Sequence, residues 1–150
     1  MKGVKNMIEQ DTIRLLRECD EGVKMGISSI EDVLSRVRSN TLEKRLTDCK
    51  TEHEALSREL QQLLDRYNDE GKAPPAMATA MSGLMTKMKL MIHGTDAEIA
   101  DLMTDGCNMG VKSLSKYLNQ YAAADEASKD ITKRLIALEE ALAVDLRGFL

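Results

Sequence analysis

One uninterrupted stretch carries apolar or core-type residues at steps of three and four: Leu42, Leu46, Cys49, His53, Leu56, Leu60, Leu63 and Tyr67. Steps of three and four line one face of an α-helix. A helix this long with a single apolar stripe must bury that stripe against other elements of the fold. The stretch opens at "SNTLE", where Asn40 caps the helix and Glu43 closes a capping-box-like pair, and it stops at "NDEGKAPP".

The rest of the chain supplies those partners. A first segment over residues 11–38, or starting earlier, carries Leu15, Cys19, Gly22, Gly26, Ser29 and Val33 on one face. A short third segment spans residues 76–92 and ends at Gly94. "TDAE" (Thr95, Glu98) is a capping box opening a fourth, with Ile99, Met103, Gly106, Gly110, Ser113 and Tyr117 along it. Asp125 caps a fifth, with Ile131, Leu135, Leu138, Leu142, Leu146 and Phe149. Pro74 and Pro75 are the only prolines, tryptophan is absent and helix-forming residues dominate, so the chain reads as all-α and as one domain over residues 1–150.

Two of these segments echo each other. "DEGVKMGISSI" (residues 20–30) returns as "TDGCNMGVKSL" (residues 104–114), with Gly22, Met25, Gly26 and Ser29 recurring as Gly106, Met109, Gly110 and Ser113. Glycine inside a helix is disfavoured by about 1 kcal/mol relative to alanine, so the pairs call for a steric reason. Small residues one turn apart let two helices approach closely. The spacing predicts that Gly22 and Gly26 face Gly106 and Gly110 across a pseudo-two-fold axis. The alternative is that each pair receives a bulky side chain from the second or fifth segment. The second and fifth stripes match in spacing, with His53 set against Leu142, so the chain is expected to be two helical hairpins, related as an internal repeat and joined by a crossover that holds the short third segment.

Two hairpins with one long connection form the topology of ferritin-like bundles. The stretches "LLRECDEGVKMGI", "CKTEHEALSREL" and "DLMTDGCNMGVKSL" resemble a family of small bacterial ferritin-like four-helix-bundle proteins of uncharacterised function. The resemblance extends over most of the chain. It implies a ferritin-like antiparallel four-helix bundle with a short fifth helix in the crossover, and it brings no activity with it.

Chemistry has to be read from the side chains themselves. A ferritin-like di-iron centre takes a carboxylate from each of two helices and Glu-x-x-His from the other two. No Glu-x-x-His occurs in the chain, and the inward positions of the first and fourth segments read as Cys19, Gly22, Met103 and Gly106. A standard di-iron site is therefore not expected. The softer alternative is a transition-metal site from Cys49 and His53, four apart on one face, joined by Cys19 from the first segment; thiolate and imidazole suit zinc or copper. Against it stands the plainer reading of His53 as a hydrogen-bonded core residue. His93, just before Gly94, suits a helix C-terminus. No phosphate loop, nucleophile elbow or Ser/His/Asp arrangement is present, and the chain is not expected to be an enzyme or to need a cofactor.

The third segment, "AMATAMSGLMTKMKLMI", sets Met77, Met81, Met85 and Met88 on one face. Such a row serves as a lid over the core or as a partner surface. The runs "DEGKAP" and "AADEASKD" read as solvated turns. The net charge of −4 is mild and its basic residues are scattered, which disfavours nucleic acid as a partner. The longest uncharged run, residues 73–86, is short of the ~20 residues that span a bilayer, and the N-terminal residues lack the apolar core of a signal peptide. Cys19, Cys49 and Cys107 are odd in number and without metal-type spacing, so they read as buried reduced thiols. The expectation is a cytoplasmic bundle that works through protein contacts or self-association, as a possible homo-oligomer, with an atypical metal site near Cys49 and His53 as the alternative.

Overall fold

A computed structural model of the chain describes residues 2–72 and 94–150. Within them are four helices: α1 (Lys2–Leu34), α2 (Asn40–Asp65), α3 (Asp96–Gln120) and α4 (Glu126–Leu146), the last followed by a 3-10 turn, Arg147–Phe149. The segment expected over residues 76–92, with Met77, Met81, Met85 and Met88, lies outside the described residues, as does His93.

Three helix starts follow their caps. Thr95 accepts a hydrogen bond from the Glu98 amide and Asp125 from that of Ser128, both as the sequence predicts. At α2 the cap moves back one residue: Ser39, not Asn40, has the extended backbone of an N-cap, and its hydroxyl accepts from the Leu42 amide. Leu34 ends α1 four residues short of the expected boundary. Asn68, in the left-handed region at φ 53°, turns the chain after α2 while the Asp69 amide reaches back to the Leu64 carbonyl. At that end of α2, Leu64 is fully buried and Leu63 only half-buried, because a straight helix at 3.6 residues per turn carries position 64 closer to the stripe than position 63.

Contacts at the two ends fix the helix directions. At one end, the Asp96 carboxylate that opens α3 accepts from the amides of Arg38 and Ser39 in the turn between α1 and α2, both at 2.9 Å. At the other, Asp11 and Thr12 of α1 accept from the amides of Ala123 and Asp125 in the turn between α3 and α4, at 3.0 and 2.9 Å. Tyr67, just past α2, reaches the same Asp125. The order is therefore up, down, down, up, and the chain leaves α2 at one end of the bundle and enters α3 at the other. Helix α1 packs on α2, α3 and α4, and α4 packs on α2 and α3.

The core has two apolar halves. One gathers around Ile30, Leu46, Ile99, Met103 and Leu146, the other around Leu15, Val23, Leu60, Leu114 and Ile131. Between them every helix passes through one level that belongs to neither half: Gly26 on α1, His53 on α2, Gly110 on α3 and Glu139 on α4.

Candidate functional site

That level sets a buried His–Glu pair between the two mainly apolar halves. His53 is 1% exposed and Glu139 9%. His53 Nε2 lies 2.8 Å from Glu139 Oε1, and its Nδ1 lies 2.8 Å from the Cys49 backbone carbonyl and 3.5 Å from Cys49 Sγ. A carbonyl only accepts, so Nδ1 carries a proton and donates it to Cys49 O. A single proton then joins Nε2 to the carboxylate. Burial pushes the His53 pKa down, but the hydrogen bonds to Cys49 and Glu139 and the carboxylate's charge outweigh it and raise it to about 10. The pair is an imidazolium against a carboxylate, neutral as a unit. Cys107, on α3, faces the same carboxylate, and its thiol is held well above the ordinary range by burial first and Glu139 second.

The glycines make room for this pair. A Cβ on Gly26 would stand 2.7 Å from His53 Nε2 and 2.8 Å from Cδ2, so the imidazole occupies the place of a side chain on α1. A Cβ on Gly110 would meet the Glu139 carboxyl at 3.7 Å, and one on Gly22 the Leu135 and Leu114 methyls at 3.8 and 3.9 Å. Gly106 is exposed, with nothing among the described residues within 4 Å of its Cβ position. The expectation that the two glycine pairs face each other is thus corrected: Gly26 and Gly110 receive side chains from α2 and α4. Cys107, not Gly106, takes the inward position on α3: Met103, Cys107 and Leu114 are buried and Gly110 between them is half-buried.

Glu139 was not legible as an inward residue. Setting His53 against Leu142 places the two stripes one turn out of register. His53 and Glu139 are 86 positions apart, and at that offset Leu42, Leu46, Cys49, His53, Leu56 and Leu60 fall on Ser128, Thr132, Leu135, Glu139, Leu142 and Leu146, every one of them buried. The signal was Glu139 itself, four residues after Leu135 and three before Leu142.

Of the three residues proposed as metal ligands, the fold brings together Cys49 and His53 and leaves Cys19 apart. Cys19 belongs to the other apolar half, 3.0 Å from Thr132 Oγ1. That hydroxyl donates to the Ser128 carbonyl at 2.7 Å, so the Cys19 thiol is the donor, and burial pushes its pKa up to about 12. Among the described residues, no group of three or more His, Cys, Asp and Glu side chains is disposed to hold a metal ion.

A second buried carboxylate was also missed. Asp20, 1% exposed, accepts from Lys24 Nζ at 2.7 Å and from the Lys72 amide at 3.0 Å. Around it the turn after α2 folds onto α1. Lys72 Nζ bridges Glu18 and Glu21 at 2.9 Å each, which raises its pKa, and Arg17 grips Asp69 with two nitrogens, which lowers the pKa of that carboxyl. Gly71, at φ 83°, brings its backbone where a Cβ would collide with the Asp20 carboxylate. The described residues of the run read as a solvated turn, Asp69 to Lys72, form a clamp built from complementary charge. In the other such run Ala124 is buried and the amides of Ala123 and Asp125 are held by α1.

The raised His53 pKa has a measurable consequence. In the unfolded chain histidine titrates near 6.5, so the stability its charge contributes is fully present below that pH and is lost as pH rises toward about 10. Wild type is expected to lose more thermal stability than His53→Gln across this window. Parallel pH dependence in the two proteins, followed by circular dichroism, would contradict the charged pair.

The family described as a domain of unknown function (DUF2383) matches residues 11–120. The match begins where α1 enters the bundle and ends with α3, so it takes in Gly26, His53 and Gly110, and Glu139 lies beyond it. No curated protein and no solved structure matches the chain.

Proposed function

The chain belongs to this uncharacterised family, and from that premise we propose that it is a ferritin-like bundle that acts through protein contacts, with a second copy of itself as the partner, and not through a dinuclear metal centre. The up, down, down, up order with one end-to-end connection supports the ferritin-like reading. The observation that carries the contact reading is the first part of α1. Residues 3–10 are all exposed, and Val4, Met7 and Ile8 stand 58%, 58% and 40% open to solvent. Val4 and Ile8 continue the line of Thr12, Leu15 and Cys19, so the core-facing stripe runs on past the bundle with no helix among the described residues covering it. An interface this short is small, which suits a weak, reversible association. No helix among the described residues is long and apolar enough to cross a membrane, so the stripe is not part of a span.

Sedimentation velocity over a range of concentrations tests this. Self-association that weakens on Val4→Glu with Ile8→Glu is expected; a monomer at every concentration, unchanged by the substitutions, would overturn it. The atypical-metal reading draws support from Cys49, His53, Cys107 and Glu139 near one level. It is the second choice because both His53 nitrogens are occupied, so an ion would have to displace the proton shared with Glu139. Stoichiometric metal in protein purified without added metal, lost on His53→Ala, would put it first.

A further inference from the structure

His53 and Glu139 occupy corresponding inward positions of the two hairpins, 86 residues apart, and meet each other at 2.8 Å. We infer that this pair specifies which hairpin packs on which: it matches the first hairpin to the second and rejects pairing of like hairpins between two copies of the chain. The danger is built into the pattern. Gly26 and Gly110 clear the same level on α1 and α3, and the other buried positions of α2 and α4 at this offset are apolar or small. Either hairpin therefore presents a face that can pack on a second copy of itself.

The central level decides the matter by charge. First hairpin on first hairpin sets imidazole against imidazole. Each Nδ1 already donates to its own Cys49 carbonyl, so two neutral rings would aim two acceptors at each other, and protonating one leaves an uncompensated buried cation. Second hairpin on second hairpin sets carboxylate against carboxylate, which either repel or, with one protonated, leave a buried anion. Only the mixed pairing is neutral and fully hydrogen-bonded. Of the other polar contacts that join unlike hairpins, those from Asp96, Asp11 and Thr12 lie at the ends of the bundle and the Arg134–Glu59 pair is exposed, so water can replace them, while the buried Cys19–Thr132 contact is between neutral groups. The interior pair has no such substitute. Discrimination of this kind, by a penalty on the wrong partner, is how paired helices commonly acquire specificity.

The test is refolding of the full-length chain from denaturant at high concentration, with multimers that survive dilution measured by native mass spectrometry. Restricting the count to species that survive dilution separates rearranged pairing from the weak association of the α1 stripe. His53→Leu with Glu139→Leu removes the discrimination and is expected to give a several-fold larger multimeric fraction than wild type. The exchange variant, His53→Glu with Glu139→His, keeps complementarity and is expected to refold as wild type does. A Leu/Leu protein with the wild-type distribution overturns the inference. So does an exchange variant that multimerises as the Leu/Leu protein does, since that would assign the effect to local packing.

Discussion

Glu139→Ala is expected to destabilise the fold by about 3 to 5 kcal/mol, because it leaves the His53 imidazolium buried with no counter-charge. Against a total stability of roughly 5 to 15 kcal/mol, that is a large share. At this chain length it corresponds to a melting temperature lower by on the order of 10 °C. The informative comparison is with His53→Leu and Glu139→Leu together. Removing both charges takes away the desolvation penalty along with the attraction, and replacing a buried pair by apolar groups is often neutral or stabilising. A double-mutant cycle by chemical denaturation is therefore expected to show strong coupling, with the Leu/Leu protein near wild type and each single substitution far below it. Additive losses in the two singles would mean that His53 and Glu139 act separately.

Gly26→Leu is expected to be the most damaging of the glycine substitutions. Even the first added carbon falls 2.7 Å from His53 Nε2, and the imidazole is held at both nitrogens, so it cannot turn aside without breaking a hydrogen bond of 2.8 Å. Overpacking of this kind typically destabilises by about 1 to 3 kcal/mol, and loss of the pair adds to it. Gly110→Ala meets only ordinary contact at 3.7 Å, and Gly106→Ala nothing among the described residues. Both are expected to be neutral or to stabilise by up to about 1 kcal/mol through helix propensity. Thermal melts of the four glycine variants, including Gly22→Ala, check the ordering. A Gly106→Ala protein as unstable as Gly26→Leu would show that the sequence echo marks a shared contact after all.

The helices were legible because their stripes and caps are local. Thr95 and Asp125 act where the sequence puts them, and the stripe of α2 is buried from Leu42 to Leu60. What sequence reasoning missed is what depends on how one helix is set against another. Register between α2 and α4 is a tertiary property, and an alignment one turn out hid Glu139. The glycine echo had two steric explanations, and only the position of the imidazole chooses between them. Asp20 and the run from Asp69 to Lys72 looked solvated because charge in a turn is usually free. Here opposite charge on the facing side of α1 makes burial possible.

The reciprocal end contacts bear on how the protein opens. Residues in turns ordinarily exchange their amide hydrogens through local fraying, at far lower free energy than core residues. In this bundle the amides of Arg38 and Ser39 are held by the second hairpin, and those of Ala123 and Asp125 by the first. Each turn is thus tied across the bundle, and its amides draw protection from the other hairpin as well as from their own. These four turn amides should therefore exchange more slowly than turn amides left to water, Arg38 with its exposed bond the least protected of them, and opening of one hairpin should be felt at the turn of the other.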